Sequence, residues 1–328
     1  MAALMYLLFP IALLMVLICI SSRTTRPKKH LAPPSPSKLP ILGNLHQLGS
    51  LPHRSLQALS IKHGPLMLLH LGKVPTIAVS SAELAQDILK TNDQVFSGRP
   101  FSYAAHHLLY GGNDMAFAPY GSYWRQARKI CILQLLSSMR VQSFKPIREE
   151  EVGRMIKEIS SISSMEVVIN LSDMLLSLSE NIISRVALGK TYRLGGEENR
   201  IGYLAKELEE LLGGFYVADY FPSLEWIDVL SGKKRRLKRN FKGLDDFLDQ
   251  VLEEKSRMMS HDHDDDDQDK RQHNNFVSVL LQVQRDGGTG SIQLSRDNIK
   301  AIVLRPLNTK GRIMHTVAMK VYPTPNPN

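Results

Sequence analysis

Apolar residues recur along this chain mostly three or four positions apart, the interval at which side chains line one face of a helix. That period predicts helices over residues 53–63, from 80 to about 92, around Trp124, and over 141–160, 171–188, 200–212, 234–258, 275–284 and from 295 onward. Residues 66–71 and 74–79 break the pattern. They are short apolar runs on either side of Gly72-Lys73 and read as a hairpin. The local punctuation agrees: Gly64 is a natural stop for the first helix, and Ser80 with Glu83 forms a capping box for the next. Asn170 and Gly189 bracket the helix over 171–188. Residues 97–112 carry Gly, Tyr and His without a period and are expected to form an irregular loop. There is no internal repeat and no glycine pattern of a dinucleotide or phosphate loop. The predicted fold class is mainly α with a small β-hairpin or sheet.

The N-terminus has a different character. Residues 2–20 hold no charge, enough at about 1.5 Å per residue to cross most of a bilayer core, and Arg23, Arg26, Lys28 and Lys29 follow. Positive charge marks the cytosolic side. The run lacks the basic n-region of a secretory signal and is longer than the usual apolar core of one, so residues 2–22 are expected to be a single transmembrane anchor. The proline-dense residues 31–40 cannot form helix, and with the basic residues before them they make a semi-rigid hinge over 23–40.

Charge and cysteine content narrow the choices of function. The 328 residues are 43% hydrophobic with a formal net charge of +9, which suggests nucleic acid until the charges are located. Five cations lie in residues 1–38 and four in residues 305–328, with no acids in either segment, so the intervening body is neutral. A phosphate-binding footprint belongs on the folded body, and nucleic-acid binding is not expected. The two cysteines, Cys19 and Cys131, allow no disulfide framework. His261, His263 and the acidic run 262–267 read as a solvated loop, and the basic run 233–239 as the exposed start of a helix.

The pair most suggestive of chemistry lies in Phe117-Ala-Pro-Tyr-Gly-Ser-Tyr-Trp-Arg-Gln-Ala-Arg-Lys129. Trp124 and Arg128 stand one helical turn apart and share a face, so an indole N–H and a guanidinium fork can reach the same carboxylate. On an amphipathic helix such a pair is commonly core plus surface. Its surroundings favour the ligand reading. The segment resembles the C-helix of the cytochrome P450 monooxygenases, where this Trp and Arg hold a haem propionate. Further stretches resemble the same family in the same order: Ile41-Leu-Gly-Asn-Leu-His-Gln-Leu-Gly49, Phe96-Ser-Gly-Arg-Pro100, Asp219-Tyr-Phe-Pro-Ser-Leu-Glu-Trp226, Leu244-Asp-Asp-Phe-Leu-Asp249, Phe276-Val-Ser-Val-Leu-Leu281 and Ser295-Arg-Asp-Asn-Ile-Lys-Ala301. They are most similar to plant-type microsomal members.

The resemblance implies the N-terminal portion of the cytochrome P450 fold over residues 41–304, carried on the endoplasmic reticulum membrane with its body in the cytosol. It also implies a haem-thiolate enzyme that inserts one oxygen atom from O2 into a small lipophilic substrate, with electrons from a separate NADPH-dependent reductase. Trp124 and Arg128 would bind haem, and Phe101, Tyr103, His107 and Leu108 would face the substrate entrance. Arg125, Lys129 and Arg140 would meet the reductase. Residues 305–328 depart from the family, because Arg305-Pro306 interrupts the helix that should cross the haem, and that stretch is expected to be an unrelated, disordered tail. The family's axial cysteine loop does not occur in the sequence, and Cys131 is expected to be a packed core residue. The alternative is therefore a membrane-tethered fragment without catalysis, a mis-spliced product or a decoy that binds a partner.

Overall fold

A computed structural model describes residues 32–163, 168–191, 197–261, 275–287, 294–307 and 319–320. The predicted anchor, the start of the hinge, the Asp-rich run 262–267 and most of the tail lie outside these residues. Among the described residues no helix is long and apolar enough to cross a membrane. They fall into two compact units, one built up to Pro100 with Tyr220–Leu224 and the last strand, the other over Phe101–Asp219 and from Glu225 onward.

The first unit contains α1 (Pro52–His63), β1 (Leu66–Leu71), β2 (Val74–Val79), α2 (Ala82–Gln86) and α3 (Asp93–Phe96). Both strands have the predicted limits. They pair antiparallel with Leu66 opposite Val79 and Leu71 opposite Val74, and the alternation along β1 buries Met67, Leu69 and Leu71 on one face. Leu56 and Leu59 of α1 pack against that face, together with Leu45, Leu48 and Tyr220. The wholly buried Asn44 ties the entry segment to β1: its Oδ1 accepts from the His70 amide at 2.8 Å, and its own amide donates to the His70 carbonyl at 2.6 Å. A third strand, β3 (Met319–Lys320), pairs antiparallel with β2, so the sheet has three strands and draws one from the stretch expected to be a disordered tail.

Two features of this unit differ from the sequence reading. Ser81, not Ser80, caps α2 by accepting from the Leu84 amide at 3.3 Å. Beyond Gln86 the helix widens into a π turn over Asp87–Thr91, so the predicted end near residue 92 holds while the hydrogen-bonding pattern changes.

The second unit is helical: α4 (Tyr103–Leu108), α5 (Ser122–Ile130), α6 (Ser138–Ser143), α7 (Lys145–Ser163), α8 (Leu171–Leu188), α9 (Glu197–Leu212), α10 (Glu225–Leu230), α11 (Lys233–His261), α12 (Phe276–Arg285) and α13 (Arg296–Leu307). The Asn170 side chain accepts from the Asp173 amide and Gly189 closes α8 in the left-handed region, as the sequence predicts. The core runs along α11, whose Leu237, Leu248 and Leu252 are fully buried with Leu108, Leu208, Leu280 and Ile299. The buried carboxylate of Glu207 locks α9 to α11. It accepts from Arg236 Nε at 2.7 Å and Asn240 Nδ2 at 3.0 Å. Burial pushes this carboxyl up, but those hydrogen bonds outweigh it and hold it below its ordinary range.

α4 corrects the expected loop over 97–112, since it is a helix with Tyr103, Ala104, Ala105 and Leu108 buried. α13 runs on to Leu307 rather than breaking after Leu304. Pro306 stands one residue from its end, where a missing amide forfeits a single hydrogen bond.

Candidate functional site

The site grows from the loop ahead of α5. Asp114 is almost wholly buried, and its carboxylate accepts from the amides of Ala116 at 2.8 Å and Phe117 at 3.2 Å. This Asx-type turn fixes the backbone so that the Met115 carbonyl accepts from the Trp124 indole N–H at 3.1 Å. Tyr123 is fastened to the same loop. Its hydroxyl donates to the Asn113 carbonyl at 2.6 Å and accepts from Asn298 Nδ2 of α13 at 3.1 Å. Burial drives the Tyr123 phenol up to about 12, the Asn298 donor opposing the shift and the Asp114 charge adding to it.

With the indole held from behind, its face carries Arg128. The guanidinium carbon lies 5.1 Å from the Trp124 ring centroid, a cation–π distance. Trp124 and Arg128 therefore share a face as predicted, but they do not present two donors to one acceptor, because the indole N–H is spent on Met115. Arg128 itself is exposed and forms no ion pair with any described residue. Its fork of donors is open to an outside carboxylate. Arg125, on the neighbouring face, lies 5.7 Å from the Tyr120 ring.

The expected substrate-facing residues divide into two kinds. Tyr103 and Leu108 are core residues, 2% and 0% exposed. The Tyr103 amide donates to Asp219 Oδ1 at 2.7 Å, and its hydroxyl donates at 3.1 Å to Glu225, which pairs with Lys234 at 2.8 Å. Phe101 is half exposed, with its ring 5.6 Å from His106. His107 is half-buried, hydrogen-bonded through Nδ1 to the Tyr103 carbonyl at 2.9 Å and lying against the Tyr103 ring. Phe101 and His107 thus retain surface, whereas Tyr103 and Leu108 shape α4 from within. The sequence reading missed Asp114, Asp219 and Glu225. Asp114 had a signal, an Asn-Asp pair in a loop, but Tyr103, which the other two share as a partner, lies more than a hundred positions from either.

A haem is an implied group whose fit can be tested on these residues. Arg128 suits a propionate, being an exposed guanidinium with unused donors on a rigid aromatic shelf. Cys131 does not suit an axial ligand. It is buried in the turn after α5, within the core cluster that holds Ile130 and Leu135, and among the described residues there is no cluster of His, Cys, Asp or Glu that could hold a metal ion. The described residues fit one edge of a haem and do not supply its thiolate.

The cytochrome P450 family model matches residues 33–308. The chain is 50% identical over 264 residues to cytochrome P450 71A1 of Persea americana, covering 80% of this chain and 51% of that protein. It is 47% identical over 283 residues to cytochrome P450 71A9 of Glycine max, covering 86% and 55%, and 46% identical over 278 residues to the strychnine-11-hydroxylase of Strychnos nux-vomica, covering 84% and 52%. A zebra fish cytochrome P450 structure with progesterone superposes with a TM-score of 0.60 at 20% identity, covering 78% of this chain and 55% of that one, a likeness of fold. The chain spans about half the length of the curated relatives it matches. On the family match and the identity to these relatives, this chain belongs to the cytochrome P450 family and covers the N-terminal part of its fold.

Proposed function

We propose that this chain forms the propionate-side wall of a haem-thiolate monooxygenase that inserts one oxygen atom from O2 into a small lipophilic molecule, with electrons from an NADPH-dependent reductase. The single observation that carries the reading is the exposed Arg128 guanidinium, held over Trp124 and without an acidic partner among the described residues. When bound, a thiolate-ligated haem supplies oxygen activation. This chain's own residues bind and orient: Arg128 meets a propionate, Trp124 fixes the rotamer of Arg128, and Asp114 and Tyr123 hold the loop that positions Trp124. Phe101 and His107 line the substrate entrance, with Tyr103 and Leu108 as its buried support. The uncharged run 2–22 and the cations after it support a tether in the endoplasmic reticulum membrane with the body in the cytosol.

A second reading, a membrane-tethered chain that binds a partner and catalyses nothing by itself, is favoured by the core position of Cys131, the one cysteine among the described residues. One experiment separates the two. The chain is expressed alone and as a fusion with the C-terminal part of the Persea americana relative, and each is reduced under carbon monoxide. The monooxygenase reading expects the thiolate-type absorption band in the fusion and its absence in the chain alone. A folded fusion that takes up no haem overturns that reading, and a band in the chain alone that disappears with Cys131→Ala overturns the assignment of Cys131.

A further inference from the structure

The loop that seats Trp124 is fastened to α13 at both of its ends. At the near end, Tyr110 has a φ of +51° and is followed by Gly111 and Gly112 at +73° and +85°. A non-glycine residue keeps that left-handed backbone only where its surroundings over-determine it. Three contacts do so here. The Tyr110 hydroxyl donates to Asp245 at 2.7 Å, its ring meets Phe241 edge-on at 5.0 Å, and the Lys300 ammonium of α13 lies 5.8 Å from the ring centre. At the far end, Asn298 Nδ2 of α13 donates to the Tyr123 hydroxyl, which itself donates to the Asn113 carbonyl. Asn298 has a second role. Its Oδ1 accepts from the Ser295 amide at 3.0 Å and hydroxyl at 2.8 Å, and its own backbone amide donates back to Ser295 Oγ at 3.1 Å, a reciprocal cap on the first turn of α13. That cap leaves the side-chain amide one orientation, with Oδ1 on Ser295 and Nδ2 toward Tyr123.

We propose that Asn298 is a positioning residue for the Trp124–Arg128 stack: by holding Tyr123 it makes the first turn of α13 the mount of α5, so that a shift of α13 is carried to the Arg128 guanidinium. The path is short. Tyr123 precedes Trp124 by one residue, so the bond from Asn298 fixes the start of α5 on one side while the Met115 carbonyl fixes the indole on the other. Arg128 follows, because its guanidinium lies over that indole. The mount is firm. Lys300 of the same turn pairs with Asp245 and Asp249 of α11 at 2.7 Å, and Ile299 between them is wholly buried. The consequence for haem rests on the assignment of Arg128 to a propionate, whereas the position of the stack does not.

The test uses the full-length chain in a Trp226→Phe background, where Trp124 is the sole indole, and reads its emission together with hydrogen exchange at Ala116 and Phe117. Asn298→Asp keeps the acceptor for Ser295 but replaces the Tyr123 donor by a carboxylate oxygen, so the Tyr123 hydroxyl cannot keep both of its partners. Ser295→Ala does the reverse, removing the cap and leaving the donor. The expected result in Asn298→Asp is a red shift, with exchange faster by roughly threefold to tenfold, the scale of one net hydrogen bond. Both readings should be unchanged in Ser295→Ala. Tyr123→Phe should match Asn298→Asp, and combining the two should add less than about twofold. In the fusion with the C-terminal part of the Persea americana relative, Asn298→Asp should speed haem transfer to apomyoglobin by a similar factor. Unchanged emission and exchange in Asn298→Asp, or an equal response in Ser295→Ala, would overturn the proposal, as would haem transfer that responds to Arg128→Ala but not to Asn298→Asp. Haem transfer indifferent to Arg128→Ala overturns the propionate reading instead, and the emission and exchange of the chain alone then decide the mount.

Discussion

Lys300 of α13 places its ammonium 2.7 Å from Asp245 of α11, and the same nitrogen lies 2.7 Å from Asp249 one turn further along. The Tyr110 hydroxyl donates to the same Asp245 carboxylate at 2.7 Å, with Lys300 over its ring. One almost buried cation thus fastens the loop after α4 and the last described helix to the long helix at the centre of the core.

Lys300→Met should therefore destabilise the second unit by about 3 kcal/mol, because it leaves two carboxylates facing each other at a partly buried site, and Lys300→Met with Asp245→Asn should recover part of that loss. Denaturant midpoints of the chain and its variants measure both. The pH dependence has a definite sign. Burial raises the Asp245 carboxyl, but the Lys300 and Tyr110 hydrogen bonds outweigh it and leave it below its ordinary value, so its contribution is present above the unfolded carboxylate pKa and fades as pH falls through the folded one. Lys300 is lowered by burial and raised more by its two aspartates, so its contribution is lost only as pH rises through its elevated folded value. The penalty of Lys300→Met should be full near neutrality and shrink toward strong acid.

Gly72→Ala should disrupt the hairpin turn. Gly72 has φ of +61°, and an added Cβ would lie 2.6 Å from Phe221 Cζ and 2.8 Å from the Tyr220 carbonyl oxygen. The aromatic ring can move; the carbonyl cannot move without the backbone. Strain and clash together should cost more than about 1 kcal/mol, read as a lower denaturation midpoint and faster exchange across Leu66–Leu71.

How far the sequence could be read depended on how local each determinant is. The strands, Asn170 and Gly189 of α8, and the face shared by Trp124 and Arg128 are set within a few residues, and all were predicted. α4 was missed because its N-terminus is secured partly by Ser102 but also by Asp219, 116 positions away. The indole donor was misjudged for a related reason. A sequence shows that Trp124 has an N–H to give, but not that Asp114 folds the preceding loop so as to place the Met115 carbonyl beneath it.

Tyr123 offers a pH test of the same loop. Its phenol should ionise at about 12, since burial disfavours the phenolate, against the ordinary value of about 10. A group raised on folding contributes stability that is complete below the unfolded pKa and lost as pH rises through the folded one. Ultraviolet titration should show Tyr123 and Tyr216 near 12, with the Tyr123 contribution alone lost in Tyr123→Phe. A Tyr123 that titrates with exposed tyrosines would mean that its phenol is not buried against this loop in solution.

Asp114→Ala removes the acceptor for two loop amides and should cost about 1 to 2 kcal/mol. The diagnostic reading is faster exchange at Ala116 and Phe117 with a red shift of Trp124 fluorescence, measured in a Trp226→Phe background so that Trp124 is the sole indole.

The most direct measurement of the central claim compares haem affinity in Arg128→Ala and Arg125→Ala, both made in the fusion that completes the fold. Losing one charge-assisted partner costs about 1.5 to 3 kcal/mol, so Arg128→Ala should weaken haem retention roughly tenfold to a hundredfold, as measured by transfer to apomyoglobin. Arg125→Ala, whose guanidinium packs on Tyr120 away from the shared face, should remain within about twofold of the parent. Equal retention in the two variants would contradict the assignment of Arg128 to a propionate.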